Sequence, residues 1–263
     1  MRRALALLGA AAVLFPAVAV AGAQPAQADS AYVLRLAFDE ADGAGRAKAF
    51  RNDGSGDVNV SAVTENGGHP RWSGSPTGTG LRLPAFALGD GPHAVLQVRD
   101  TRGTDELSPG SRGFGFGADF RLDKQPQVAN PRDNGENLIQ RGLATQAAQF
   151  KLQVDHQVPS CAVHGAYGKA AVSASALPVG KWYRATCTLS LGRLSLTVAR
   201  LGKDGQVKRA TVRSVAAEVG PVDLPASVPM SVGGKLAGVD RLASGCSVDQ
   251  FNGRVDNVVY WLG

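Results

Sequence analysis

The residues best suited to chemistry are oxygen donors in a glycine-rich stretch near the start of the chain. Between positions 39 and 57 this stretch offers Asp39, Asp42, Asn52, Asp53 and Asp57. Calcium takes about six to eight oxygen ligands and accepts a mixture of carboxylates and turn carbonyls. The stretch therefore has the ligand types of a calcium site, although a solvated acidic loop has the same composition.

One further acid lies in a strand-like run near the C-terminus. In VDNVVYW (255–261), Asp256 shares a face with Val258 and Tyr260. A carboxylate beside apolar neighbours needs a compensating partner. That partner is a metal ion or an arginine, unless Asp256 is an ordinary solvent-facing residue.

The chain contains three cysteines, Cys161, Cys187 and Cys246. Cys161 and Cys187 lie in two alternating segments that could be neighbouring antiparallel strands, and we predict a disulfide between them. The bridge would close a loop of about 26 residues, worth about 3.5 kcal/mol in the chain-entropy description. Cys246 would then be left over in the polar loop LASGCSVD. Nothing in the sequence supplies the His or cation that a catalytic thiolate requires.

Aromatic residues in loops could line a ligand groove, because sugar rings stack on exposed aromatic faces. Trp72 and Tyr167 lie in loop-like segments and are the candidates for this role. Trp182 and Trp261 lie in strand-like segments, where packing within or on a sheet is the expected role. Structural packing is also the simpler role for the two loop aromatics.

The N-terminus has the pattern of a secretory signal peptide. Met1-Arg2-Arg3 precedes an apolar run, and Ala26-Gln27-Ala28 is a small-x-small site, so we expect cleavage after residue 28. A membrane anchor is the alternative, but Pro16 and the alanine-rich composition favour cleavage. The protein would then be secreted into an oxidising compartment, where a disulfide persists.

The net charge and the scattered basic residues argue against a nucleic-acid-binding protein, and the absence of a linker predicts a single domain. Loss of Arg2 and Arg3 would lower the formal charge from +6 to +4, and the basic residues are scattered. Nucleic-acid binding would call for a basic stripe with interleaved aromatics, which the sequence does not show. No later apolar run approaches membrane-spanning length, and we expect one domain over residues 29–263. We also expect a monomer whose partner is an extracellular glycan or protein.

Period-two alternation predicts that this domain is all-β. The clearest case is 149–198, where Phe150, Leu152 and Val154 alternate with polar residues. About ten to thirteen short strands joined by Gly, Pro and Asn turns describe a sandwich or jelly roll. Residues 39–60 are predicted to be rich in turns and residues 64–80 to form a loop, and only 41–50 could form a helical turn.

Three segments resemble laminin G-like domains of the concanavalin A-like lectin/glucanase superfamily, of the bacterial secreted type. They are FDE…NDGSGD near the start, NLIQRG…SCAVHG…VGKWY in the middle, and MSVGGK…DQFNGRVDNVVYW at the end. Tyr183 stands where the family usually has His after the Gly-Lys-Trp turn. The resemblance spans about residues 31–263 and implies a two-sheet antiparallel jelly-roll sandwich. It also implies one structural Ca²⁺, at the matching positions Asp39, Asp53 and Asp256.

The resemblance does not fix a function, because one fold hosts many. Glucanases of this superfamily use a Glu-x-Asp-x-x-Glu strand, since retaining chemistry needs two carboxyls about 5 Å apart. The glutamates outside the leader, at 40, 65, 106, 136 and 218, do not form it. We therefore expect a non-catalytic secreted module that binds an extracellular carbohydrate or protein. A glycan-active hydrolase or lyase with an unrecognised site, or a purely structural component, are the alternatives.

Overall fold

The computed structural model describes residues 32–40, 45–85, 91–123 and 136–263, and the predicted leader 1–28 and Asp42 lie outside them. Within these ranges the chain forms β-strands and one short 3-10 helix, Gly245–Val248. The strands are β1 Tyr32–Leu36, β2 Val58–Glu65, β3 Arg71–Ser75, β4 Gly78–Arg82, β5 His93–Asp100, β6 Phe114–Leu122, β7 Glu136–Arg141, β8 Gln149–Asp155, β9 Val158–Gly165, β10 Gly168–Ser173, β11 Trp182–Ser190, β12 Arg193–Leu201, β13 Val207–Ala216, β14 Met230–Val232, β15 Leu236–Gly238, β16 Arg241–Leu242 and β17 Gly253–Leu262. The predicted all-β sandwich is confirmed.

Two large antiparallel sheets form the sandwich in the described part of the chain. Sheet A has the order β13-β12-β11-β6-β17-β4-β3, and β1 also pairs with β17. Sheet B has the order β10-β9-β8-β7-β14-β5-β2. The last strand, β17, lies near the centre of sheet A between β6 and β4, so the two ends of the domain meet there.

The core lies between the sheets and is built around aromatic rings. Phe150 of β8 stacks on Tyr260 of β17 with ring centroids 5.7 Å apart, and Phe116 of β6 lies 4.9 Å from Phe150. The Tyr260 hydroxyl donates to the carbonyl of Leu107 at 3.0 Å, and burial raises the pKa of this tyrosine. Every second side chain of these strands points inward, which is why the alternating pattern builds this interface.

The predicted disulfide between Cys161 and Cys187 is present, with the two Cα atoms 5.9 Å apart. The prediction that their strands are neighbours in one sheet is wrong. Cys161 lies in β9 of sheet B and Cys187 in β11 of sheet A, and both side chains are fully buried. Alternation shows which face a cysteine occupies but does not assign its strand to a sheet. The bridge therefore joins the two layers across the core.

Part of the outer face of sheet B, at β5 and β2, is covered by the segment 233–250. Leu236, Leu242 and Val248 of this segment form a second apolar cluster with Val95 of β5. Polar contacts also hold this segment against the sheet. One of them is a partly buried hydrogen bond from the Gln97 side-chain amide to Asp240 at 2.7 Å. The cover limits ligand access to the outer face of sheet B at β5 and β2.

Two strands fall in segments where the sequence predicts loops. β2 (Val58–Glu65) overlaps both predicted loop regions, and β3 (Arg71–Ser75) lies inside the second one. RWSGS has almost no apolar alternation, so its strand state depends on backbone pairing with β4, which the side-chain pattern does not reveal. Residues 45–50 of the predicted helical turn contain no helix.

Replacing both bridge cysteines, Cys161→Ala with Cys187→Ala, should lower the free energy of unfolding by about 3.5 kcal/mol, because the unfolded chain then regains loop freedom. Urea unfolding at neutral pH measures this difference. Cys246→Ser is the control, since it leaves the bridge in place. A double variant as stable as the parent would contradict a stabilising role for this cross-link.

Candidate functional site

The outer face of sheet A carries a buried polar cluster. Asp119 of β6 lies opposite Asp256 of β17 on one side and opposite Arg184 of β11 on the other. Residues directly opposite in an antiparallel ladder share a face of the sheet. Since Phe120 and Val255 next to them point into the core, this group points away from it. Asp119 and Asp256 are nevertheless each only 1% exposed.

Each carboxylate of the cluster has specific partners. Arg184 forms a two-pronged contact with Asp119, at 2.6 Å from Nε and 2.8 Å from Nη2. The Asn257 side-chain amide donates to Asp119 at 3.1 Å and to Asp256 at 3.2 Å, so it bridges the two acids. Asp256 also accepts from the Thr77 hydroxyl at 2.8 Å and from the Asn257 backbone at 2.7 Å.

A bulge in β17 places the Asn257 amide between the acids. The register with β6 shifts between Asp256 and Val259, and Asn257 takes a left-handed backbone conformation with φ 45°. Asparagine tolerates this conformation better than most residues. The extra residue turns its side chain to the same surface as Asp119 and Asp256 instead of the opposite one.

The surroundings of Asp256 shift its affinity for a proton. Burial raises the pKa of Asp256 to about 6 and the Asp119 charge adds to the rise, while hydrogen bonds from Ser75 and Thr77 oppose it. Hydrogen bonding to Asp119 raises the pKa of Arg184, so this guanidinium stays charged. A carboxyl that binds a proton near neutrality beside a second carboxyl is an arrangement used in acid–base chemistry.

Two hairpin turns meet above this cluster. Thr77 belongs to the β3–β4 turn, and a methyl group built on Gly205 of the β12–β13 turn would come within 2.5 Å of the Thr77 methyl carbon. Four strand spacings separate β12 from β4 in sheet A, about 19 Å in a flat sheet. Sheet A must therefore curve so that its outer face is concave, which explains why the acids are buried.

The three predicted calcium ligands are not brought together as a set. Asp39 and Asp256 both contact the β3–β4 hairpin, through the Thr79 backbone N–H at 3.2 Å and the Thr77 hydroxyl. Asp53 instead forms an ion pair with Arg51. Within the described ranges, no three His, Cys, Asp or Glu side chains lie close enough to hold a metal ion. The set therefore does not fit a metal in this arrangement, and calcium binding stays a prediction.

The two predicted ligand-binding aromatics have different positions. Trp72 lies in β3 rather than in a loop, and its ring packs against Phe38 and Phe50 with centroids 6.5 and 6.0 Å away. Arg71 and Ser73 occupy the outer face, so Trp72 faces the core, and its role as a ligand contact stays a prediction. Tyr167 lies in the β9–β10 turn and is 80% exposed, as a ligand contact would require.

Tyr167 stands at the rim of a cleft at one end of the sandwich. The cleft has a volume of about 380 Å³ and continues into a wider depression of about 630 Å³. Its lining includes Arg112, Tyr167, Ser190, Leu191, Glu218 and Pro221.

Sequence reasoning missed Asp119, Arg184 and Asn257. A signal for Asp119 was present, since it is the one acid in the apolar strand GFGFGADFRL. An acid in such a strand needs a partner in the same way as Asp256. The partner itself could not be identified, because it depends on which strands become neighbours. Cys246 lies in the 3-10 helix Gly245–Val248.

The comparisons with known proteins indicate a fold. Neither a protein-family model nor a curated protein matches the chain. The binding domain of paraclostridial mosquitocidal protein 1 aligns with 88% of this chain and 48% of its own, at 13% identity and a TM-score of 0.52. The botulinum neurotoxin serotype G binding domain aligns over 88% and 47%, at 9% identity and a TM-score of 0.56.

The chain thus spans about half the length of these structures. Identities this low show a shared β-sandwich fold, and the more specific laminin G-like resemblance stays a prediction. In the described part of the chain, no helix has the length and apolar character needed to cross a membrane.

Asp256→Asn tests the raised pKa. The pKa of Asp256 is about 6 in the folded state against an ordinary 3.8, so the folded state binds the proton more tightly than the unfolded chain. The stability gained from this proton is complete below about pH 4 and is lost as the pH rises through 6. Relative to Asp256→Asn, the wild type should lose about 2–3 kcal/mol of unfolding free energy between pH 4 and pH 7.

Urea unfolding at both pH values, with a chelator present so that no cation binds Asp256, measures this loss. Asp100 and Asp204 have lowered pKa values and favour the folded state as the pH rises. Both remain in the variant, so their effect cancels in the comparison. A stability difference between the two proteins that is independent of pH would contradict the raised pKa.

Calcium binding is tested by the melting temperature. If the predicted site forms, calcium-loaded protein should melt several degrees higher than protein in excess chelator, because a ligand that binds only the folded state stabilises it. Asp39→Asn should abolish the difference. An unchanged melting temperature on chelation would exclude a structural calcium ion.

Proposed function

We propose that the chain is an exported, non-catalytic module that binds a carbohydrate in the cleft beside Tyr167. One observation carries the proposal: a tyrosine ring that is 80% exposed stands at the rim of a cleft with polar and apolar walls. Sugar rings present apolar faces that stack on aromatic rings and hydroxyl groups that need polar partners. A protein ligand is the alternative for the same cleft.

Backbone hydrogen bonds and a close contact with Gly220 restrict the position of the Tyr167 ring. The backbone N–H of Tyr167 donates to the carbonyl of Val219 at 2.8 Å, and that of Ala166 donates to Pro221 at 2.9 Å. Gly220 lies against the ring, where a methyl group built on it would come within 2.5 Å. A ring held in this way loses little conformational freedom when a ligand binds.

The rest of the cleft supplies complementary groups. Leu191 is completely exposed at the tip of the β11–β12 turn, which places a second apolar side chain beside the opening. Arg112 is held in the wall by hydrogen bonds to the carbonyls of Pro109 and Ser108 at 3.1 and 2.8 Å. Glu218 adds an acceptor for sugar hydroxyls.

Export is supported by the disulfide and by the N-terminal pattern. A buried bridge between the two sheets persists in an oxidising compartment and is rare in a reducing one. The leader pattern at residues 1–28 gives the route. Both aligned structures are binding domains, which is consistent with a binding role for the shared sandwich.

A hydrolase on the same sandwich is the second candidate. Asp119 and Asp256 form a carboxyl pair on the concave face, and burial raises the pKa of Asp256 to about 6, which suits a group that exchanges protons near neutrality. The β3–β4 hairpin covers the pair, so substrate access would require that hairpin to move. Glycan cleavage that is lost in both Asp119→Asn and Asp256→Asn would favour this candidate over the binding module.

The carbohydrate proposal is tested with a glycan array, followed by titration of the best ligand. Tyr167→Ala should weaken binding about tenfold, because the stacking surface is lost. Tyr167→Phe should bind nearly as well as the parent, since it retains the ring. Val212→Ala, at a 63% exposed residue of β13, is the matched control. Binding unaffected by Tyr167→Ala would contradict the location, and a blank array would contradict the carbohydrate class.

A further inference from the structure

A row of arginines crosses the outer face of sheet A at the end opposite the Tyr167 cleft. They occupy consecutive positions directly opposite one another from strand to strand, and directly opposite residues share a face. In spatial order the row is Arg46, Arg71, Arg82, Arg254 and Arg121, followed by Trp182 of β11. The row lies two residues along the strands from the buried acids.

This arrangement is unfavourable without a partner. Like charges directly opposite each other in a sheet destabilise it. Among the described residues, the row forms one ion pair. It joins Arg82 to Asp123, with a nitrogen–oxygen distance of 3.5 Å. Burial lowers the pKa of Arg254, and the charge of Arg121 lowers it further. Within the described ranges of the chain, the positive charge of the row is therefore largely uncompensated.

Two of the arginines have donors with no acceptor. The Nε atoms of Arg121 and Arg254 are buried and lack a hydrogen-bond partner in the described structure. A buried donor left unpaired costs about 1–3 kcal/mol. An anion lying along the row would pair with its exposed arginines, Arg46, Arg71 and Arg82, and would offset the repulsion among the guanidinium groups.

We propose that this row binds an acidic polysaccharide through its sulfate or carboxylate groups. Arginine suits this task because its planar fork pairs with such oxyanions through two parallel hydrogen bonds. The half-buried Trp182 ends the row and offers a ring face to a sugar. Adjacent strands are about 4.8 Å apart, so five arginines extend over about 19 Å. That length fits several charged groups on a polymer rather than one small anion.

The site is independent of the proposed function at Tyr167. The arginine row lies at the Arg121 end of β6, whereas the cleft is lined by Gly113 at the other end of that strand. One site is a strongly charged row on a sheet face, and the other is a cleft between turns. Either proposal can therefore fail without the other.

The test compares two double variants with the same change in net charge. Arg121→Gln with Arg254→Gln removes the two arginines of the row that lie nearest Trp182. Arg209→Gln with Arg213→Gln removes two exposed arginines of β13. Heparin and alginate serve as sulfated and carboxylated probes, dextran as the neutral one, and double-stranded DNA as the competing polyanion, all by isothermal titration at two or more salt concentrations.

We expect the row variant to bind heparin or alginate at least tenfold more weakly, and the β13 variant to change less than twofold. The salt dependence of log Kd should become shallower by about 1–2 in the row variant. Tyr167→Ala should leave this binding unchanged. Equal loss in both double variants would show a general charge effect and overturn the site. Preference for DNA over both polysaccharides would overturn the ligand class.

The melting temperature gives a readout that does not depend on the ligand. Without ligand, the row variant should melt about 2–4 °C above the parent, because two repelling charges and two unpaired donors are removed. The β13 variant relieves one opposed pair, Arg209 with Arg200, and removes neither of the two buried unpaired donors, so its melting temperature should rise less than that of the row variant. A row variant that melts below the parent would show that these arginines have a structural role, and would contradict the proposal.

Discussion

The register between β6 and β17 is the constraint on which the surface of this protein depends. These two central strands of sheet A set Asp119 opposite Asp256, Arg121 opposite Arg254, and Gly115 opposite Trp261. A side chain at Gly115 would clash with the Trp261 ring at 2.1 Å. A shift of one residue would send every one of these side chains to the other face. The aromatic core resists such a shift, because Phe116 and Tyr260 would leave it.

The same register divides the outer face of sheet A into zones with different chemistry. One row is basic and partly open, and the next is acidic, buried and covered by two turns. The two acids have hydrogen-bond and ion-pair partners within the protein, because Arg184, Asn257 and Thr77 contact them. Among the described residues, the arginines of the basic row have no comparable set of partners. This contrast distinguishes polar groups that stabilise the fold from polar groups that are available to a ligand.

Much of the fold could be predicted from the sequence, because alternation identifies which residues face a core. The positions of β6, β8, β11 and β17 follow from that pattern. It could not assign strands to sheets, so the disulfide was predicted correctly but placed between neighbouring strands. The arginine row was invisible for the same reason: its members are spread from position 46 to 254 and come together only through pairing. Trp72 was misplaced because the backbone pairing of β3 leaves little trace in its side chains.

The bridge between Cys161 and Cys187 also has a mechanical consequence. If the two ends of the domain are pulled apart, force bypasses the 26-residue interval that the bridge closes. That interval includes all of β10 and the turn that leads into Trp182. At about 3.5 Å per extended residue, about 90 Å of chain is withheld from extension while the bridge is intact. Reduction would release this length, so the redox state of its surroundings sets how far the domain can stretch under load.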